Sequence, residues 1–208
     1  GGGGAARTGA AATTVVALVD VSGSMGATGV AAGEGAPPTL VEQARRVAED
    51  LLATLGPADE LLLVPYDRAP RPANERPDGD LPRLRAAIHA LEAGAAATDH
   101  GAALALAARA LAASHSLNRE MFWISDFQAT GFAADPEGKV TPPPGPWERA
   151  RVFLVPLAPR TRANVALTDV ALTPAADGLA LTVAAAAFDA TPGDLAVAAN
   201  ELPNGGEL

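Results

Sequence analysis

The stretch TTVVALVDVSGSM, residues 13–25, decides the fold. Its first eight residues, Thr13 to Asp20, form a continuous apolar run rich in β-branched side chains. Such a run suits a strand buried on both faces, as in a parallel sheet. Asp20 closes the run, and Ser22 and Ser24 follow at alternate positions. An open α/β sheet binds ligands beyond the carboxyl ends of its strands, near the point where strand order reverses. The stretch therefore predicts both an architecture and the place of a site.

Downstream, Thr39 and Glu42 make a T-x-x-E capping box. Leu40, Ala44, Val47, Ala48, Leu51, Leu52 and Leu55 recur at helical spacing, and Gly56-Pro57 ends the helix. ELLLVPY (60–66) is a second buried strand. Residues 68–79 read as a Pro- and Arg-rich loop with room for one short edge strand. Asp80 caps a helix carrying Leu84, Ala87, Ile88 and Leu91, with Gly94 as its expected end. A third helix is expected from about Asp99 to Ser114. Strands follow at Arg119–Asp126 and Arg151–Leu157, separated by a long loop, residues 129–148. Strands alternating with helices mean a mostly parallel sheet covered on both faces, a three-layer, Rossmann-like α/β domain. After about residue 160 two strand-like stretches follow without an intervening helix. The expected division is a flexible lead-in at 1–12, an α/β domain at 13–160, and the start of a β-rich, sandwich-like module at 164–208 that is cut short at Leu208.

Composition narrows the function. The chain has 208 residues and a formal net charge of −9, with its arginines scattered. That argues against a nucleic-acid surface, which needs a basic patch. There is no cysteine, which removes disulfides, thiolate metal sites and cysteine nucleophiles. No apolar run is long enough to span a membrane. The chain starts at Gly1 without a charged-then-apolar leader, so the natural N-terminus is expected to lie upstream.

At the strand ends, Asp126 is expected to face Asp20 across the switch point, with Thr98 reaching the same spot from a third loop. Two carboxylates and three hydroxyls, without histidine or sulfur, make a hard all-oxygen donor set. It favours Mg²⁺ or Mn²⁺, with Ca²⁺ behind them, over Zn²⁺. Neutral hydroxyls leave such an ion electrophilic toward an incoming carboxylate. Asp99, His100, Phe127 and Gln128 are candidates for the rim that meets a ligand.

D-x-S-x-S at Asp20, Ser22 and Ser24, with Thr98 and Asp126, resembles the metal-ion-dependent adhesion site (MIDAS) of von Willebrand factor A (vWA) domains. The order and spacing agree over about residues 13–160. The resemblance implies that these five residues hold a divalent ion directly or through water. It also implies a protein partner offering an Asp or Glu carboxylate, and no catalysis. Ala96-Ala97 replaces the family's usual Gly-Gly before the threonine, and the family's last helix and strand are not evident after Leu157. RLRAAIHALEAG…ATDHGAAL, WISDFQATGF and NVALTDVAL are similar to bacterial aerotolerance (Bat)-type membrane proteins. Those carry membrane helices, a vWA domain and β-rich modules. That likeness implies a membrane-anchored parent with this domain on the extracytoplasmic face.

Blander readings stand beside these. Asp20, Ser22, Ser24 and Asp126 are also turn formers, Thr98 is also a helix cap, and Asp99 and His100 suit an ordinary helix start. Phe127 and Phe132 either line the ligand face or pack inward. Trp123 reads as core, Trp147 as an anchor of the Pro-rich loop, and His89 and His115 as solvated helix positions. The competing functions are a structural spacer with an idle metal site and a phosphotransferase or hydrolase using Asp20. The phosphotransferase lacks a second aspartate, because Ser22 stands there, and Lys139 is the only lysine. A triad of Asp20, His100 and a serine lacks a nucleophile segment, and G-x-S-x-G is absent.

Overall fold

Thr13–Asp20 forms strand β1 and is buried at every position, as its unbroken apolar run requires. The computed structural model describes residues 11–29, 36–133, 145–146, 148–160, 164–175 and 178–188. Along the chain follow α1 (Leu40–Thr54), β2 (Glu60–Tyr66), α2 (Leu81–His89), α3 (His100–Ala113), β3 (Asn118–Ser125), β4 (Arg151–Pro156), β5 (Asn164–Ala175) and β6 (Gly178–Phe188). The first four strands make one parallel sheet in the order β2-β1-β3-β4. Strand order therefore reverses between β1 and β3, which puts the switch point at the ends of those two strands.

Helices cover both faces. Val15, Ala17 and Val19 of β1 face α1 and α2, packing with Leu40, Leu52, Leu84 and Ile88. Val16 and Leu18 face α3, packing with Leu104, Ala107 and Leu111. This is the three-layer α/β arrangement expected. Thr39 and Glu42 form the capping box of α1 reciprocally, and Asp80 caps α2 through the Arg83 N–H.

Two local expectations need correction. Helix α2 stops at His89, short of Gly94. The residues beyond are held elsewhere: the Leu91 carbonyl accepts from the Arg45 guanidinium, and the Gly94 N–H donates to Val21. The edge segment expected within residues 68–79 is only a set of isolated antiparallel bridges along β2, at Tyr66–Pro70 and Leu61–Asp78. Asn74, buried there, stands in for a strand peptide. Its Oδ1 accepts the Leu63 N–H at 3.1 Å, and its Nδ2 donates to the Leu61 carbonyl at 2.8 Å. Asn74→Ala is expected to cost about 2 kcal/mol, because it leaves the buried Leu63 N–H without an acceptor, whereas the Leu61 carbonyl keeps the Asp78 N–H; urea melts of the two proteins measure this. Trp147, Lys139 and Pro142-Pro143-Pro144 lie outside the described residues.

The chain divides into two compact units, Gly1–Arg160 and Thr161–Leu208. In the second, β5 and β6 pair antiparallel with a register shift between Leu167 and Asp169. Residues 189–208 lie outside the described set, so of the sandwich-like module only this pair of strands is described.

Candidate metal centre

Counting by twos along the strands that face α3 leads to the site. Leu18 is in register with Val64 on one side and Trp123 on the other. One rung further, Asp20 is in register with Tyr66, and the same step along β3 reaches Ser125. All three are completely buried. The Ser125 hydroxyl donates to Asp20 Oδ2 at 2.7 Å. Asp20 Oδ1 accepts the Ser22 N–H at 2.9 Å. Both oxygens are thus fixed, and so is the direction of the carboxylate.

Beyond Asp20 a short 3-10 turn, Gly23–Gly26, curls the chain back. It sets the Ser22 and Ser24 hydroxyls 3.2 Å apart. The Ser24 hydroxyl reaches Asp126 from the neighbouring strand end, and Gln128 also donates to that carboxylate. Burial raises the Asp126 carboxyl above its usual range, the Ser24 bond opposes this, and the Asp20 charge adds to it. Asp126 Oδ1 is buried and, among the described residues, has no hydrogen-bond partner.

The third loop is drawn to the first by two backbone bonds, Gly94 N–H to Val21 and Gly23 N–H to Ala96. Half-buried Thr98 follows, beside Gly131: a Cβ built on that glycine would lie 3.2 Å from Thr98 Cβ. The cap of α3 is Asp99, not Thr98: its Oδ1 accepts the Ala102 N–H at 3.0 Å. Asp99 and Gln128 are exposed and remain available to a ligand.

His100 opens α3, as a helix-start residue would, but its burial corrects the expectation of a rim residue. It is 0% exposed, because the first turn of α3 lies against the sheet. Its Nδ1 is 3.1 Å from the Tyr66 hydroxyl, and its ring packs on Trp123 and Phe132 at 5.2 and 4.4 Å between centroids. Burial lowers its pKa below the ordinary imidazole value, against the pull of Asp20, Asp126 and Asp99. Phe127 and Phe132 both pack into this cluster and are only partly exposed, which settles their orientation inward. Phe127 also has a φ of +51°. A bulky side chain seldom accepts that conformation, and strain of this kind gathers at functional sites. The bond from the Phe127 N–H to Ser125 Oγ, 2.9 Å, holds it. Ser125, Tyr66 and Trp123 were not picked out as site residues by sequence reasoning; the signal for them was strand parity, usable only once the register is known.

No group of three or more His, Cys, Asp or Glu side chains suited to a metal exists among the described residues. The donors gathered here are two carboxylates and neighbouring hydroxyls, one carboxylate oxygen being unused. That chemistry suits a hard divalent cation.

The family model for the von Willebrand factor type A domain matches residues 15–128. No curated protein matches the chain. Solved structures similar to it include an aerotolerance-related membrane protein from Bacteroides fragilis, at 19% identity over 83% of this chain and 80% of that one, with a TM-score of 0.53. An uncharacterized membrane-spanning protein from Vibrio fischeri matches at 17% identity over 83% and 79%, TM-score 0.45. The vWF domain of the type V pili tip protein Mfa5 from Porphyromonas gingivalis matches at 22% identity over 56% of this chain, TM-score 0.44. The chain spans 38% of that domain's length and 20% of a longer, three-domain piece of the same pilus protein. At such identities the likeness to these structures is one of fold. With the family model covering more than half of its length, and β1 and β3 delivering Asp20 and Asp126 to one switch point, the chain belongs to the von Willebrand factor type A domain family.

Proposed function

We propose that this domain recognises a protein partner through a divalent cation, Mg²⁺ or Mn²⁺, held by Asp20, Ser22, Ser24, Thr98 and Asp126. A carboxylate of the partner completes the ion's shell. The observation that carries the reading is the unpartnered, buried Oδ1 of Asp126, close enough to Asp20 for the two charges to oppose each other. Two carboxylates brought together without a cation between them destabilise one another; a bound ion removes that cost. Asp99, at the mouth of the site, would disfavour acidic partners that approach from the α3 side.

A non-catalytic role accords with the surroundings. His100 is turned to Tyr66 and not to a serine, and the Ser125 hydroxyl is fully buried, held between Asp20 and the Phe127 N–H. A nucleophile needs an activating partner and access to its substrate. We place the parent protein at a bacterial membrane with this domain on the extracytoplasmic face. Residues 13–160 would be the recognition domain, and 164–208 the opening of a β-rich module. Among the described residues no helix is long and apolar enough to cross a membrane.

Asp126→Asn separates folding from function. A carboxyl with a raised folded pKa is tolerated below the ordinary carboxylate range. Its stabilising contribution is lost as pH rises through the raised value. At neutral pH the ion-free protein is therefore less stable than it would be with a neutral side chain at that position. The asparagine variant is expected to melt higher than the parent in EDTA at pH 7, and to gain less from added Mn²⁺. A variant that melts lower in EDTA yet keeps the full Mn²⁺ gain would remove Asp126 from the site.

A further inference from the structure

Gly131 is the buried last residue of the short 3-10 turn Ala129–Gly131 that follows β3. The turn is closed by its own backbone bonds. The Gly131 N–H donates to the Gln128 carbonyl at 3.0 Å, and the Phe132 N–H to the Ala129 carbonyl at 3.1 Å. Gln128 in turn donates to the Asp126 carboxylate. The turn is thereby linked to Asp126.

This turn rests on the start of α3. A Cβ built on Gly131 would lie 2.7 Å from His100 Nε2, 2.8 Å from His100 Cδ2 and 3.2 Å from Thr98 Cβ. The Gly131 φ lies outside the left-handed region, so space, and not backbone conformation, keeps a side chain out. His100 has no room to turn aside. It is completely buried, its ring packs against Phe132 and Trp123, and its Nδ1 faces the Tyr66 hydroxyl. Thr98 stands two residues before it and shares its movements.

We propose that Gly131 is a positioning residue of the metal centre: having no side chain, it lets the segment that carries Asp126 seat directly on His100 and Thr98, and so sets the separation of two of the ion's ligands. Ordinary contact needs about 3.5 Å, so an alanine would push the two segments apart by roughly 0.8 Å from the 2.7 Å contact. That exceeds the ~0.5 Å within which a binding constellation must be held. Whether the turn lifts or the start of α3 yields, Thr98 and Asp126 separate. The role rests on the proposed metal centre, and the test distinguishes the failure of one from the failure of the other.

The probe is Mn²⁺ alone, titrated calorimetrically into the metal-free full chain well below its melting temperature. Gly131→Ala should weaken Mn²⁺ binding about tenfold, as is common when a group supporting a metal ligand is disturbed. Asn74→Ala, which loosens the outer edge of β2, should bind as the parent does; lost stability alone then does not account for the effect. His100→Ala clears the two shortest contacts. In that background the same Gly131→Ala change should alter the affinity less than about twofold, a departure from additivity that marks the ring as the point of contact. Equal affinity of Gly131→Ala and the parent would overturn the proposal, and so would the full loss persisting beside His100→Ala. A Gly131→Ala chain without the circular dichroism of the folded parent would also overturn it, because the glycine would then serve the fold and not the ion. A parent chain that takes up no Mn²⁺ would remove the metal centre itself, and this role with it.

Discussion

Millimolar Mg²⁺ or Mn²⁺ is expected to raise the melting temperature of this chain above its value in EDTA, and Asp20→Ala is expected to abolish the difference. An ion present at about 100 times its dissociation constant stabilises a fold by roughly 2.7 kcal/mol. For a unit of this size that corresponds to roughly 5–10 °C. Asp20 is the decisive position because it is fully buried and its carboxylate is aimed before any ion arrives, by the Ser22 N–H and the Ser125 hydroxyl. Removing it deletes a charged donor. Ser24→Ala deletes a neutral one and should leave part of the gain. Asp20→Ala also strands the Ser22 and Ser125 donors, so its melting point in EDTA will move as well. The quantity to compare is therefore the ion-dependent increment within each variant. Identical wild-type curves in EDTA, Mg²⁺ and Mn²⁺ would remove the support for a working metal centre, and a spacer role would then lead.

Much of this was legible in the chain because it is local. An unbroken apolar run makes β1, a T-x-x-E box starts α1, and an aspartate at a strand end marks a switch point. What was not legible depended on contacts between distant residues. His100 looked like a helix-start polar residue because nothing near it in sequence says that the first turn of α3 lies against Tyr66 and Trp123. The end of α2 was misplaced for the same reason: Arg45, 46 residues from Leu91, takes the carbonyl that a longer helix would have used. Ser125 could be read as the residue before Asp126, but its bond to Asp20 spans 105 residues. Most site residues named from sequence lie at or just beyond strand ends, as Asp20 and Asp126 do, whereas Tyr66, Trp123 and Ser125, which hold them, lie within the strands.

That distinction gives the second large effect. Tyr66→Phe, a change of one oxygen atom in a side chain that touches no proposed ligand of the ion except Asp20's neighbourhood, is expected to destabilise the fold by about 2–3 kcal/mol. The Tyr66 hydroxyl accepts from Trp123 Nε1 at 2.7 Å and lies 3.1 Å from His100 Nδ1. It is fully buried, and burial holds its pKa well above the usual phenol value, so it stays protonated and serves as both acceptor and donor. Phenylalanine fills the same space and therefore opens no cavity; the loss is that of the hydroxyl's partners. His100 already has one ring nitrogen, Nε2, without a partner among the described residues, and the variant would deprive the other. Urea melts followed by tryptophan fluorescence measure the change. The ion-dependent increment should persist in Tyr66→Phe, because Asp20 keeps its bonds to Ser22 and Ser125. A stability within about 0.5 kcal/mol of the parent, the range of an ordinary surface substitution, would show that the buried hydroxyl does not hold this cluster together. Loss of the increment with stability intact would instead make Tyr66 part of the ion's own support.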